Sequence, residues 1–245
     1  MEITNENLIE HLEKSFKVFT KAGSRSDKKL HPLHGGIAND IMQVLTDLGM
    51  ADDITVYAKG YGNNKEKKVH GVFKDKNIDI TFCYKGKPIF CINVKSIQQN
   101  YKQNGGNYFE NMIGEIVNLV LDKMPLFQVF ILPNKIPYFM GNKKFRKWEY
   151  VNKHAMEQYI NYSNLKNTFI SPSVLVFNYN LNDMPSNPID SDEYKSFYSD
   201  NIAITKCDER ENDGWGDNCF FNDYSNFIKE AVKVITDTIN KEKNK

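Results

Sequence analysis

Asp79, Asn93 and Lys95 are the residues in this chain whose types and spacing suit a definite chemistry. A carboxylate is a hard oxygen ligand for Mg²⁺, which polarises a phosphate and stabilises charge that develops on it. A lysine can hold an attacking water or act as a point cation beside a charged transition state. An amide offers a neutral carbonyl oxygen to the metal or to a metal-bound water. Together they suit metal-dependent phosphodiester hydrolysis. A lone Asp beside a lone Lys on the solvent face of an antiparallel pair is also the composition of a surface ion pair. The two readings differ in what the chain must build around the trio.

Alternation along two neighbouring apolar runs brings the three together. Over residues 78–84, Ile78, Ile80, Phe82 and Tyr84 share one face, leaving Asp79, Thr81 and Cys83 on the other. Over residues 89–95, Phe90, Ile92 and Val94 share a face, opposite Ile89, Cys91, Asn93 and Lys95. If both apolar sets enter one core, the register puts Asp79 on the face of Asn93 and Lys95. Tyr84-Lys85-Gly86 suits a three-residue hairpin with Gly86 in the left-handed position of a bulged turn. Cys83 then faces Lys87, and Asp79 faces Cys91, one step from Asn93. A two-residue Gly86-Lys87 loop has the wrong parity.

The flanking elements set this hairpin in a layered fold. Leu8, Leu12, Phe16 and Phe19 predict a helix over residues 5–20, followed by a basic linker over 21–29. Gly35-Gly36 is expected to open a second helix with Ile37, Ile41, Val44, Leu45 and Leu48 on its apolar face and Gly49 as its stop. A strand over 54–59, a polar loop over 60–68, the hairpin, a polar loop over 98–107, a helix over 108–123 and a strand over 127–132 follow. That order predicts an α/β fold with a central mixed β-sheet flanked by helices. Beyond Pro133 the pattern is less regular, with a strand over 174–179, an amphipathic helix over 224–239 and a frayed lysine-rich end. The expectation is one domain over 1–245, a catalytic core over about 35–132, and an elaboration over 133–245 for DNA recognition or dimerisation.

Composition narrows the partners. A net charge of +1 excludes an overall basic field, so any nucleic-acid contact must come from local patches. Cys83, Cys91, Cys207 and Cys219 lack metal-ligand spacing, and the first two fall in apolar runs as small hydrophobes. No signal peptide and no membrane-length apolar run is read, so a cytoplasmic protein is expected.

The segment Ile78-Asp79-Ile80, the short hairpin, Asn93-Val94-Lys95-Ser96, Gln98-Gln99 and the helix from Asn107-Tyr108-Phe109-Glu110 resembles the PD-(D/E)xK nuclease superfamily. Within it the resemblance is to the type II restriction endonucleases, over roughly residues 35–132. It implies a restriction endonuclease-like fold, Mg²⁺ as cofactor, double-stranded DNA as substrate and a homodimer matching a palindromic site. It also implies that Asp79 binds the metal, Asn93 assists, Val94 lends its backbone carbonyl and Lys95 sits beside the attacking water. The family usually carries an acid where Asn93 stands, which weakens one metal contact. Such enzymes often add an acid from a preceding helix, for which Asp40 is the candidate; an exposed Asp in a first helical turn is more simply explained by the helix dipole. Glu110 and Glu115, on the helix after the active strand, could also point back to the metal.

Two surfaces suit DNA. Gln98, Gln99, Asn100, Tyr101, Lys102, Gln103 and Asn104 form an amide-dense stretch able to bond phosphates or adenine edges, or simply a solvated loop. Lys143, Lys144, Arg146 and Lys147, interleaved with Phe145 and Trp148, suit phosphate contact. Lys65-Glu66-Lys67-Lys68 reads as loop solvation, and His70 as a base the chemistry does not need. Trp215 sits among Asp208, Glu209, Glu211, Asp213 and Asp217, an acidic stretch expected away from DNA. Three functions remain open: a type II restriction endonuclease, a repair, recombination or phage-defence nuclease of the same fold, and a catalytically weakened DNA-binding module.

Overall fold

Apolar side chains on both faces of the central strands demand cover on both sides, and the chain supplies it with helices. The computed structural model describes residues 2–23, 26–166, 174–182, 187–200, 202–207 and 214–244. Ser24 and Arg25 of the linker, and Asp208, Glu209, Glu211 and Asp213 of the acidic stretch, lie outside the described residues. The strands are β1 (Ile54–Ala58), β2 (Tyr61–Gly62), β3 (Lys67–Val69), β4 (Lys76–Ile78), β5 (Ile80–Tyr84), β6 (Lys87–Ser96), β7 (Leu126–Pro133), β8 (Lys135–Phe139), β9 (Phe145–Tyr150), β10 (Val174–Leu181), β11 (Ile204–Lys206) and β12 (Cys219–Phe221). The helices are α1 (Asn5–Ala22), α2 (Leu30–Asp47), α3 (Tyr101–Val120), α4 (Lys153–Ser163), α5 (Ser191–Tyr198) and α6 (Tyr224–Lys243).

The main sheet is mixed, in the order β11-β10-β7-β6-β5-β1-β2, with β12 also pairing β10. Strands β6, β7 and β10 run parallel, and β7 is buried along its whole length, as a central parallel strand covered on both faces requires. One face packs Phe82, Phe90, Ile92, Val94, Val129 and Phe177 against α1, α2 and α6. The other packs Cys91, Phe130, Leu132 and Val176 against α3 and α4. An α/β mixed sheet between helices is thus the architecture.

The hairpin reaches the expected parity by a different route. Its turn has two residues, Lys85 and Gly86, both with positive φ, and Tyr84 pairs Lys87. Pro88 pairs Cys83 while Phe90 pairs Phe82, so Ile89 is the extra residue of a bulge. Pro88 has no N–H to give a continuous ladder, which is the local reason for the break. The shorter turn and the bulge cancel in parity. Thr81, not Asp79, therefore faces Cys91.

Two other boundaries differ from expectation. The first predicted strand is split: Ile78 ends β4, which pairs with β3, and Ile80 begins β5, which pairs with β1 and β6. Helix α2 begins at Leu30, so Gly35 and Gly36 lie inside it. They are there for close approach: a Cβ on Gly35 would stand 2.7 Å from the Gly60 carbonyl oxygen, and one on Gly36 would collide with the His11 ring. Residues 133–245 contribute to the main sheet, where β10 lies beside β7, and α6 covers its face.

Asp40 belongs to this framework. It is 3% exposed, and its Oδ2 lies 2.9 Å from His11 Nε2 and accepts from the Tyr224 hydroxyl at 2.8 Å, joining α2 to α1 and α6. It is neither an exposed first-turn acid nor a residue of the cleft described below. Asp40→Ala strands a half-buried imidazole and a buried phenol. Urea denaturation is expected to show a loss of about 1–3 kcal/mol, with Mg²⁺ affinity of the folded protein unchanged.

Candidate active site

Asp79 occupies the bend between β4 and β5, where the chain leaves one core and enters the other. Ile78 is buried with Val69 and Cys91 on the α3 side, and Ile80 with Phe82 on the α1–α2 side. The bend turns the Asp79 carboxylate onto the adjacent strand, where Oδ2 accepts from the Val94 N–H at 2.8 Å. The Asp79 N–H donates in return to Asn93 Oδ1 at 3.4 Å. Asp79, Asn93 and Lys95 are thereby brought to one sheet end, with Lys95 exposed and its Nζ 5.9 Å from the centre of the Tyr108 ring.

The second carboxylate is Glu115. Its Oε2 accepts from Asn93 Nδ2 at 2.8 Å and from Gln128 Nε2 at 3.1 Å, while Oε1 pairs with Lys76 Nζ at 2.5 Å. Asn93 is 8% exposed and Gln128 3%, so these amides face no competing water. The amide at position 93 therefore holds a helix carboxylate against the strand. Glu110 is exposed and lines a depression with Lys74 and Asn118 that meets the smaller cleft at Lys76, Asn111 and Glu115.

Burial pushes the Asp79 carboxyl up to about 6. The Val94 N–H and the charge of Lys95 oppose that rise, and the negative charges of Glu66 and Glu115 add to it. Glu66 comes from the segment read as loop solvation; it pairs with Lys59 at 3.1 Å just ahead of β3. His70 pairs with Asp75 on the surface at 2.8 Å and takes no part.

The donors at this end are oxygens. Among the described residues no three His, Cys, Asp or Glu side chains sit close enough to share one ion. Asp79 keeps Oδ1 without a hydrogen bond among the described residues, whereas both Glu115 oxygens are engaged. One direct carboxylate, neighbouring carbonyl oxygens and room for water fit Mg²⁺, which keeps several waters and is held by one or two carboxylates plus substrate phosphate. They do not fit a closed nitrogen or sulfur site.

Two adjoining clefts open on these residues, sharing Asp79, Val94, Lys95 and Tyr108. The smaller, about 180 Å³, runs to Glu115 and Gln128. The larger, about 450 Å³, runs past Ser96, Gln98, Gln99, Asn100 and Asn104 to His34 and Lys29. The amide stretch is mostly helical, since α3 starts at Tyr101. Tyr101 itself is in the core, 2% exposed, its hydroxyl donating to the Ala155 carbonyl at 3.1 Å. Asn100, left-handed at φ 55°, exchanges both amide groups with the backbone of Phe139. Lys102 is exposed, and its backbone N–H donates to Glu149 at 3.0 Å.

Lys143, Lys144, Arg146 and Lys147 lie on the antiparallel ribbon β8–β9 and its tip, all exposed. Arg146 and Lys147 approach the Tyr138 ring at 5.9 and 5.7 Å, and Lys143 stands 3.5 Å from Asp192. Trp215 stacks on Phe221 at 4.6 Å, away from both clefts. His34, Glu66, Lys76 and Gln128 were not anticipated. Gln128 carried a readable signal, a lone polar residue in an apolar strand that must find a partner.

No family model matches the chain, and no curated protein or solved structure matches it. No helix among the described residues is long and apolar enough to cross a membrane.

The raised Asp79 value makes a signed prediction. The ordinary aspartate value is 3.8, so the fold favours the protonated form. That contribution is present below pH 3.8 and lost as pH rises through about 6. Asp79→Asn keeps an acceptor for Val94 and removes the charge. Denaturation without metal should find it more stable than the parent at pH 8, by about 1–3 kcal/mol, with the difference vanishing below the ordinary value. Mg²⁺ binding by the parent should weaken as pH falls below 6.

Proposed function

We propose that the protein is a Mg²⁺-dependent endonuclease of the restriction type, hydrolysing phosphodiester bonds in duplex DNA at a short specific site. The observation that carries this reading is the smaller cleft, lined by a half-buried carboxylate with an unbonded oxygen, an amide-held second carboxylate and an exposed lysine. A surface ion pair does not need Val94, Asn93 and Gln128 to fix its carboxylates from within.

Asp79 would hold the ion with its free oxygen, aided by Asn93 Oδ1 and the Val94 carbonyl, and Glu115 would reach it through water. When bound, Mg²⁺ neutralises the scissile phosphate and lowers the pKa of a coordinated water. Lys95 orients the attacking water and places a positive charge beside the developing phosphorane. Lys76 balances Glu115, so the site does not carry two uncompensated carboxylates. Gln98, Gln99 and Asn104 face the strand being cut, and the β8–β9 ribbon carries Lys143, Lys144, Arg146 and Lys147 to the phosphates. A two-stranded ribbon has the width to enter a major groove. A homodimer is part of the proposal, because two copies related by a two-fold axis suit a palindromic site.

Incubation with a mixed-sequence plasmid and Mg²⁺ should give discrete fragments. A smear would instead identify a nuclease of low specificity, and binding without cutting a weakened module. Lys95→Ala should lower cleavage by about 10²-fold or more while DNA binding persists; undiminished cutting would remove the proposed site. Arg146→Ala and Lys147→Ala should each reduce the slope of log affinity against log salt by about 1, measured by fluorescence anisotropy.

A further inference from the structure

The larger cleft has a second polar end that phosphodiester chemistry leaves unused. His34 is 1% exposed, lines the cleft from α2, and neither ring nitrogen has a hydrogen-bond partner. Ser96, on the same cleft wall one residue beyond Lys95, has a buried hydroxyl with no partner either. Buried donors and acceptors are paired in the great majority of cases, and each one left bare costs about 1–3 kcal/mol. Two in one cleft wall point to something that enters the cleft and pairs them.

The chemistry of the two groups selects the visitor. Burial pushes His34 down to about 4, against the pull of Glu66 and with the help of Lys59 and His31. The imidazole is therefore neutral at physiological pH, with one N–H donor and one acceptor nitrogen. A serine hydroxyl likewise gives and accepts. A phosphate offers only acceptors and is better served by Lys29 and Lys95. Paired donors and acceptors in a plane are what the edge of a nucleobase presents. Tyr108 and Phe19 supply aromatic wall, and the amides of Gln98 and Asn104 line the same cleft. At about 450 Å³ the cleft is of small-molecule size.

We propose that the His34–Ser96 end is a nucleobase subsite that receives one unpaired base of the strand whose phosphate lies at Asp79 and Lys95. This rests on reading the Asp79–Lys95 end as the phosphodiester site. A base inside a duplex cannot present its pairing edge there, so the base must be turned out of the stack, at a cost of a few kcal/mol that weakly paired steps reduce. Substrate choice would then depend partly on which base His34 and Ser96 accept.

The test uses the intact protein in EDTA, with the four deoxynucleoside 5′-monophosphates and inorganic phosphate as probes. NMR of ¹⁵N-histidine-labelled protein reads the His34 ring directly, and titration gives affinities. At least one nucleotide is expected to shift the His34 ring nitrogens and bind roughly tenfold tighter than phosphate. His34→Leu should erase that advantage without changing phosphate binding, Ser96→Ala should reduce it several-fold, and His34→Gln should retain part of it. Should His34→Leu not fold, the NMR shift in the parent and binding by His34→Gln still decide. Equal binding of all five probes, or nucleotide binding indifferent to position 34, overturns the subsite. Plasmid cleavage without base-dependent binding overturns the subsite alone. Base-dependent binding in a protein that cuts no DNA in Mg²⁺ overturns the nuclease reading alone.

Discussion

The hydrogen bond from the Val94 N–H to Asp79 Oδ2, 2.8 Å long, is the contact on which the site's geometry turns. It closes a bend that sends Ile78 into the core under α3 and Ile80 into the core under α1 and α2. A regular strand would keep both on one face, because side chains alternate with a period of two. The bend changes face between them and leaves Asp79 as the pivot. Both neighbours are fully buried, so moving Asp79 would expose one of them, at about 1.5–3 kcal/mol for a large apolar side chain. Packing on either side thus holds a carboxylate where solvation alone would not put it.

Charge balance around that pivot is uneven. Glu115 is compensated by Lys76 and two amides, and Glu66 by Lys59. Asp79 receives one backbone N–H and the more distant Lys95, which do not offset its burial, and its pKa rises to about 6. A poorly compensated carboxylate beside fully compensated ones is the place where an added cation gains most. The same imbalance costs stability at neutral pH. Stability yielded at one buried polar group is common where a fold carries a function.

Much of this was legible in the amino-acid pattern, and the misses have physical causes. The two apolar faces of the hairpin placed Asp79, Asn93 and Lys95 together, and parity survived although the turn and bulge were read differently. Parity depends on the sum of turn and bulge, and Pro88 coupled the two. Gly35 and Gly36 were read through local helix signals, whereas their role is long-range approach to Gly60 and His11. The helix starting at Tyr101 was hidden by polar residues that contribute no periodicity. Strands β8 and β9, with few buried residues on β9, look like loop in sequence because they form a ribbon outside the main sheet. His34 was invisible for a different reason: its significance lies in lacking partners, which only three dimensions reveal.

The ribbon and the segment over residues 98–102 are joined by hydrogen bonds. Asn100 donates its backbone N–H to the Pro137 carbonyl at 3.0 Å and exchanges side-chain bonds with Phe139, so β8 grips the loop directly after β6. From the other strand, Glu149 is 3% exposed and caps the N–H of Lys102 at the start of α3. Residues 98–102 therefore cannot shift without carrying β8 and β9, and the basic residues of the ribbon cannot shift without pulling on the cleft wall that holds Gln98 and Gln99. A displacement of the ribbon would reach the residues beside Lys95 through these hydrogen bonds, one of them backbone to backbone. The Asn100 backbone, left-handed at φ 55°, is strained for a residue other than glycine, and four hydrogen bonds from or to Asn100 and its immediate helix start hold it there. The chain accepts local strain at this junction, and in return the surface that would meet DNA is fixed to the site that would cut it.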